Sequence, residues 1–155
     1  MDAYLIIKWV HVVSSTILFG TGLGSAFYMF MANRRKDIAA IYFAVRHVVI
    51  ADWLFTTPAI IVQLVTGLFM AHIGGIDLTA RWVKWALGLY FFAGACWLPV
   101  LWMQLKMREM ARVALETKGE LPALYWKMDR LWTTLGVFAF SAVFVIFYLM
   151  VVKPG

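Results

Sequence analysis

The chain has 155 residues, 64% of them hydrophobic, a net charge of +6 and a mean hydropathy of +0.83. Soluble domains are nearer half apolar, so this composition excludes a soluble globular enzyme and points to an integral membrane protein of one domain, residues 1–155. The basic residues flank the apolar runs, which is a membrane-orientation pattern rather than a nucleic-acid-binding one, and Cys96 as the single cysteine excludes an internal disulfide.

A helix needs about 20 mostly apolar residues to cross the hydrocarbon, and four segments qualify. The first covers about 4–32 and includes YLIIKWVHVVSSTILFGTGLG. It is too long for a signal-peptide core and lacks a basic leader, so it is expected to stay in the protein. Ionisable groups inside a bilayer are costly and mark functional sites. Lys8, His11, Ser15, Leu18 and Gly22 recur at three- and four-residue spacing and share one helix face. That polar, small-residue face is expected to point into a bundle. The structural alternative is that Lys8 snorkels outward while His11 hydrogen-bonds a neighbouring helix. Gly20, Gly22 and Gly24 offer a small-residue surface for close helix contact.

The next connection, NRRKDIAAIYFAVR, is basic and expected to be partly helical, and His47 beside Arg46 reads as a headgroup contact. The second span, about 48–73, carries a stripe of Asp52, Thr56, Ala59, Gln63, Thr66 or Gly67, and Met70. Asp52 is expected to pair with a basic residue from the same side, such as Arg46 or Arg130, with a proton-relay role as the alternative. Pro58 should kink the helix, with Thr56, Thr57 or Gln63 satisfying the freed backbone. His72 lies at a depth comparable to His11, but half a turn out of phase with Gln63. Gly74 and Gly75 end this span.

The third span, about 82–103, opens with Lys84 in the depth band of Lys8, His11 and His72. Cations gathered there require an anion between them. Haem propionates, a lipid headgroup or an acidic substrate would serve, as would Asp2 and Asp77. The segment after it is amphipathic and should prolong the third helix beyond the membrane, turn at Lys118 and Gly119, and re-enter after Pro122. The fourth span covers about 131–152. Trp9, Trp82, Trp102, Trp126 and Trp132 fall near expected interfaces. Ten Lys and Arg residues lie in the first and third connections against four on the other side. This asymmetry puts those connections in the cytoplasm and both termini on the non-cytoplasmic side. The expected fold is an all-α, up-down four-helix membrane bundle, placed in a bacterial-type inner (plasma) membrane.

No Cys pair, zinc-spaced His-Glu motif, intramembrane carboxylate pair or phosphate-binding loop is present, so no residue set reads as catalytic. What remains is imidazole, a common ligand for haem iron. His11 and His72 are the candidate metal ligands, and Lys8 and Lys84 join them as candidate cofactor-binding residues.

The order of several short motifs resembles the HemJ-type protoporphyrinogen oxidases and a related group of small integral membrane proteins. These are KWVHVV in the first span, PAIIVQLVTGLFM in the second, WVKWALGL opening the third and VVKPG at the end. The resemblance implies a four-helix fold, bound haem b, and roles for His11 and Lys84. The chain departs from the family's Glu-Arg-Arg cluster, with apolar residues around Val48 to Ile50. It also lacks the family's Arg near Phe27 and its third-span His near Ala95 and Cys96. The resemblance therefore extends to haem binding rather than to protoporphyrinogen oxidation.

The functional expectation is a membrane-embedded b-type haem protein serving electron transfer or a quinone- or tetrapyrrole-linked oxidoreductase step. Two alternatives are a non-enzymatic accessory or scaffold subunit, and a small solute or metal transporter using Asp52 and His11. Expected partners are membrane lipids, a second copy of the chain or a membrane redox protein, and no nucleic acid.

Overall fold

The computed structural model describes residues 3–154, so Asp2 lies outside the described residues. Helix α1 spans Ala3–Arg35, α2 Ile38–Ala51, α3 Thr57–Ile73, α4 Arg81–Glu116 and α5 Ala123–Val152. A π-helical turn, Asp52–Thr56, joins α2 to α3, so Ile38–Ile73 forms one continuous rod. Four helices are thus long and apolar enough to cross a membrane, and no strand occurs among the described residues.

The second rod begins ten residues before the expected span. Two local signals explain this. Lys36 takes a left-handed conformation, φ 56°, which ends α1 abruptly. Asp37 then caps α2, its side chain accepting the Ala39 N–H at 3.0 Å. The basic connection therefore shrinks to two residues. At the far end, Gly74 N–H bonds Met70 O at 2.9 Å, and Gly75 sits at φ 62°, a conformation glycine adopts without a Cβ penalty. Helix α4 runs on to Glu116 as expected and closes at Lys118 and Gly119, where Gly119 N–H reaches Ala114 O at 3.0 Å.

Packing is uneven along the bundle. The main core gathers toward the α1–α2 and α4–α5 connections, around Met29, Ile41, Val45, Met103, Met107, Tyr125 and Trp132. Helix α4 packs along α5, α2 lies against α1 and α4, and α3 lies against α1. Toward the chain termini, α1 and α5 meet mainly through rings. Phe19 stacks edge-on to Phe140 and Phe144 at centroid distances of 5.7 and 5.1 Å. Trp132 is buried in the core, whereas Trp9 and Trp102 are exposed. Large apolar side chains such as Leu54, Ile61, Leu98 and Val151 point outward. Water would penalise that surface, and lipid accommodates it.

A polar latch fastens the connection end. Tyr125 OH donates to Asn33 Oδ1 at 2.8 Å, and Asn33 Nδ2 donates to Asp129 Oδ1 at 2.6 Å. Asn33 and Tyr125 are both buried, so this network ties the end of α1 to the start of α5 with both groups of the Asn33 amide engaged.

Candidate functional site

The first polar centre lies between α1 and α3. The three-to-four spacing of Gln63, Thr66 and Gly67 puts them on one face of α3, and this face meets His11. His11 Nδ1 is 2.7 Å from Thr66 Oγ1. The single Thr66 hydroxyl hydrogen is directed to Val62 O at 2.5 Å. With that hydrogen on Val62 O, Thr66 Oγ1 is the acceptor toward the ring and His11 Nδ1 the donor, which is the Nδ1–H tautomer. In the neutral imidazole this leaves Nε2 with a free lone pair. Gln63 Nε2 donates to His11 O at 2.5 Å and also to Ser14 Oγ, while Ser14 Oγ donates to His11 O at 3.2 Å. Gly67 lets the ring lie close. A Cβ built there would stand 3.4 Å from His11 Cε1.

The expected α3 stripe is thus the one that faces α1. The expected α1 face is rotated slightly. Ser14 is buried and joins the network, while Ser15 bonds its own helix at Val12 O, 2.8 Å. Gly22 does meet another helix, a Cβ there coming within 2.8 Å of Phe140 Cζ, whereas Gly20 and Gly24 face open space.

Lys8, His72 and Lys84 are exposed. His72 is six residues beyond Thr66 on α3, about 9 Å along the axis and about 120° around it, so the fold does not turn it toward His11. Lys84 lies in the field of Asp77. The Asp77 carboxyl is held below its ordinary value chiefly by the Thr79 hydroxyl, then by the Thr79 N–H, with Lys84 adding a smaller attraction. No group of three or more His, Cys, Asp or Glu residues suited to holding a metal occurs among the described residues.

A second polar centre sits at the π-helical turn. Asp52 is buried, but its partners are not the expected Arg46 or Arg130. Thr56 Oγ1 donates to Asp52 Oδ1 at 2.8 Å, and Gln104 Nε2 of α4 donates to Oδ2 at 2.9 Å. Arg46 and Arg130 are both exposed, where water solvates them at lower cost than a buried ion pair would carry. Thr57, just before Pro58, sends both its N–H and its hydroxyl to Asp52 O, the latter at 2.8 Å. Gln104 was hidden from sequence reasoning because it falls where the apolar run gives way to the charged connection.

These elements define a polytopic, all-helical membrane protein with a half-buried polar centre between α1 and α3 and a buried one at the π-helical turn. The chain belongs to the family described as "Predicted integral membrane protein (DUF2269)", which it matches over residues 5–154. No curated protein and no solved structure matches it.

Proposed function

We propose that the protein is a membrane-embedded b-type haem protein in which His11 Nε2 would hold the haem iron. One observation carries this reading: His11 Nδ1 lies 2.7 Å from Thr66 Oγ1, whose own hydrogen has Val62 O as an acceptor, a pairing that favours the Nδ1–H tautomer and a free lone pair on Nε2. Ligating histidines are commonly oriented in this way by a second hydrogen bond. The reading involves one protein ligand, since His72 is turned away on α3 and Lys84 is exposed. Lys8, one turn nearer the chain terminus on the same helix, would pair with a propionate, and Lys84 would be the second cation at that end. Gln63 and Ser14 hold the backbone of His11, so the ring keeps its direction. A bound haem would supply one-electron chemistry, which suits electron transfer or a quinone- or tetrapyrrole-linked oxidation in a bacterial-type inner membrane. In this reading the chain termini lie on the non-cytoplasmic side, following the charge asymmetry of the connections.

Protein purified from haem-replete cells is expected to show reduced-minus-oxidised Soret and α bands that weaken in His11→Ala. A folded, colourless wild type would reject the proposal. A second reading, an accessory membrane subunit, draws on Gly20 and Gly24, which face open space on α1. A stoichiometric partner copurifying in mild detergent, without a chromophore, would favour it.

A further inference from the structure

The centre at the π-helical turn is rich in oxygen acceptors and has no basic partner. Asp52, Thr56 and Gln104 are 4%, 5% and 2% exposed. The Asp52 carboxylate receives one hydrogen bond on each oxygen, and each oxygen retains further lone-pair capacity. Gln104 Oε1 is buried and has no hydrogen-bond partner. The Thr56 hydroxyl has spent its hydrogen on Asp52 and keeps its lone pairs. Among the described residues no Lys, Arg or His bonds or ion-pairs with Asp52; the ion pairs present are those of Arg112 with Glu109 and Glu116. An isolated carboxylate away from water is strongly unfavourable, and an unsatisfied buried carbonyl adds to that penalty. One positive charge coordinated by oxygen at Asp52 would offset the first defect, and by also contacting Gln104 Oε1, whose amide already touches Asp52 Oδ2, it would relieve the second.

We propose that Asp52, Thr56 and Gln104 form a binding site for a single hard monovalent cation, with sodium as the expected occupant. Uncharged oxygens plus one carboxylate match a hard ion. One charge neutralises Asp52, whereas a divalent ion would leave a buried net charge. The π-helical turn contributes by direction. It places Asp52 and Thr56 side by side, and Thr57 occupies the Asp52 carbonyl. Coordination therefore falls to the side chains. The site is separate from His11 and does not rest on haem binding.

The test uses the full chain in nanodiscs at fixed pH and ionic strength, with unfolding followed in sodium, potassium and choline chloride. Sodium is expected to raise Tm saturably by about 3–5 °C over choline, as a ligand specific to the folded state does. The rise should vanish in Asp52→Asn and Gln104→Leu and persist in His11→Ala. Asp52→Asn is near-isosteric and neutral, so it should remain folded and melt alike in all three salts. Sodium-23 line broadening that depends on Asp52 gives an independent readout. An equal response to potassium would keep the site and show that it does not select by size. Identical wild-type melting in all three salts, or a sodium response surviving in Asp52→Asn, would overturn the proposal. Stabilisation by acid alone, with no cation response, would also overturn it and make a proton the occupant.

Discussion

His11 Nδ1 and Thr66 Oγ1 are 2.7 Å apart although the residues are 55 positions apart in the chain. The contact sets the depth register of α1 against α3 and favours the Nδ1–H tautomer of the ring. Its consequence can be measured without any cofactor. In nitrogen-15 spectra of histidine-labelled protein, neutral His11 is expected to carry its proton on Nδ1. Thr66→Ser should keep that tautomer, and Thr66→Val should lose it. A wild-type His11 protonated on Nε2 would contradict the assignment. If haem is bound, Thr66→Val should weaken its retention by roughly 10–100-fold, the usual scale for losing an orienting partner.

Much of this arrangement was legible because helical period and cost of burial agree. The stripe from Asp52 to Met70 repeats at three and four residues, and the polar members of such a stripe have to find partners inside a membrane. On α1 the spacing points to His11 and Ser15, and the structure brings His11 and Ser14 to α3, because Ser14 and Ser15 flank His11 by about 60° and about 40° on either side and only the packing of α3 chooses between them. The turn at Lys36 was signalled by Asp37, a good helix cap, but the charged run obscured it. The π-helical turn and the pairing of Asp52 with Gln104 were not legible. They depend on how α4 sits beside the second rod, and nothing local in either segment encodes that.

Gly22 and Phe140 form a close contact that should respond to volume. A Cβ at Gly22 would fall 2.8 Å from Phe140 Cζ. Gly22→Ala is therefore expected to destabilise by about 1–3 kcal/mol through overpacking. Phe140→Leu should relieve part of this, and a double-mutant cycle would show the coupling. Gly20→Ala and Gly24→Ala meet open space and should be neutral or stabilising by up to about 1 kcal/mol, through helix propensity. Equal effects at all three positions would contradict the packing described.

The latch of Tyr125, Asn33 and Asp129 should behave as one unit. Asn33→Ala leaves a buried tyrosine hydroxyl and an aspartate without their shared partner, a loss of about 1–3 kcal/mol. Asn33→Asp should be worse, because it sets a second carboxylate against Asp129. Thermal unfolding in detergent, with Tyr125→Phe as the paired variant, measures this. Additive losses for Asn33→Ala and Tyr125→Phe would mean that the hydrogen bond between them contributes nothing.

The α3–α4 loop supplies a pH-dependent contact outside the membrane. Asp77 has an ordinary carboxyl value of 3.8 and is held below it in the fold. A depressed carboxylate stabilises the folded loop above the unfolded value, and the contribution is lost as pH falls through the folded one. The loop contact is thus complete at neutral pH and fades only in strong acid. Carbon-13 titration should find Asp77 below 3.8, since Thr79 and Lys84 both favour the ionised form. Thr79→Ala should move it upward more than Lys84→Gln does, because the hydroxyl hydrogen bond outweighs the exposed charge. The reverse order would make Lys84 the dominant partner and would tie that lysine to Asp77 rather than leaving it available to an anionic ligand.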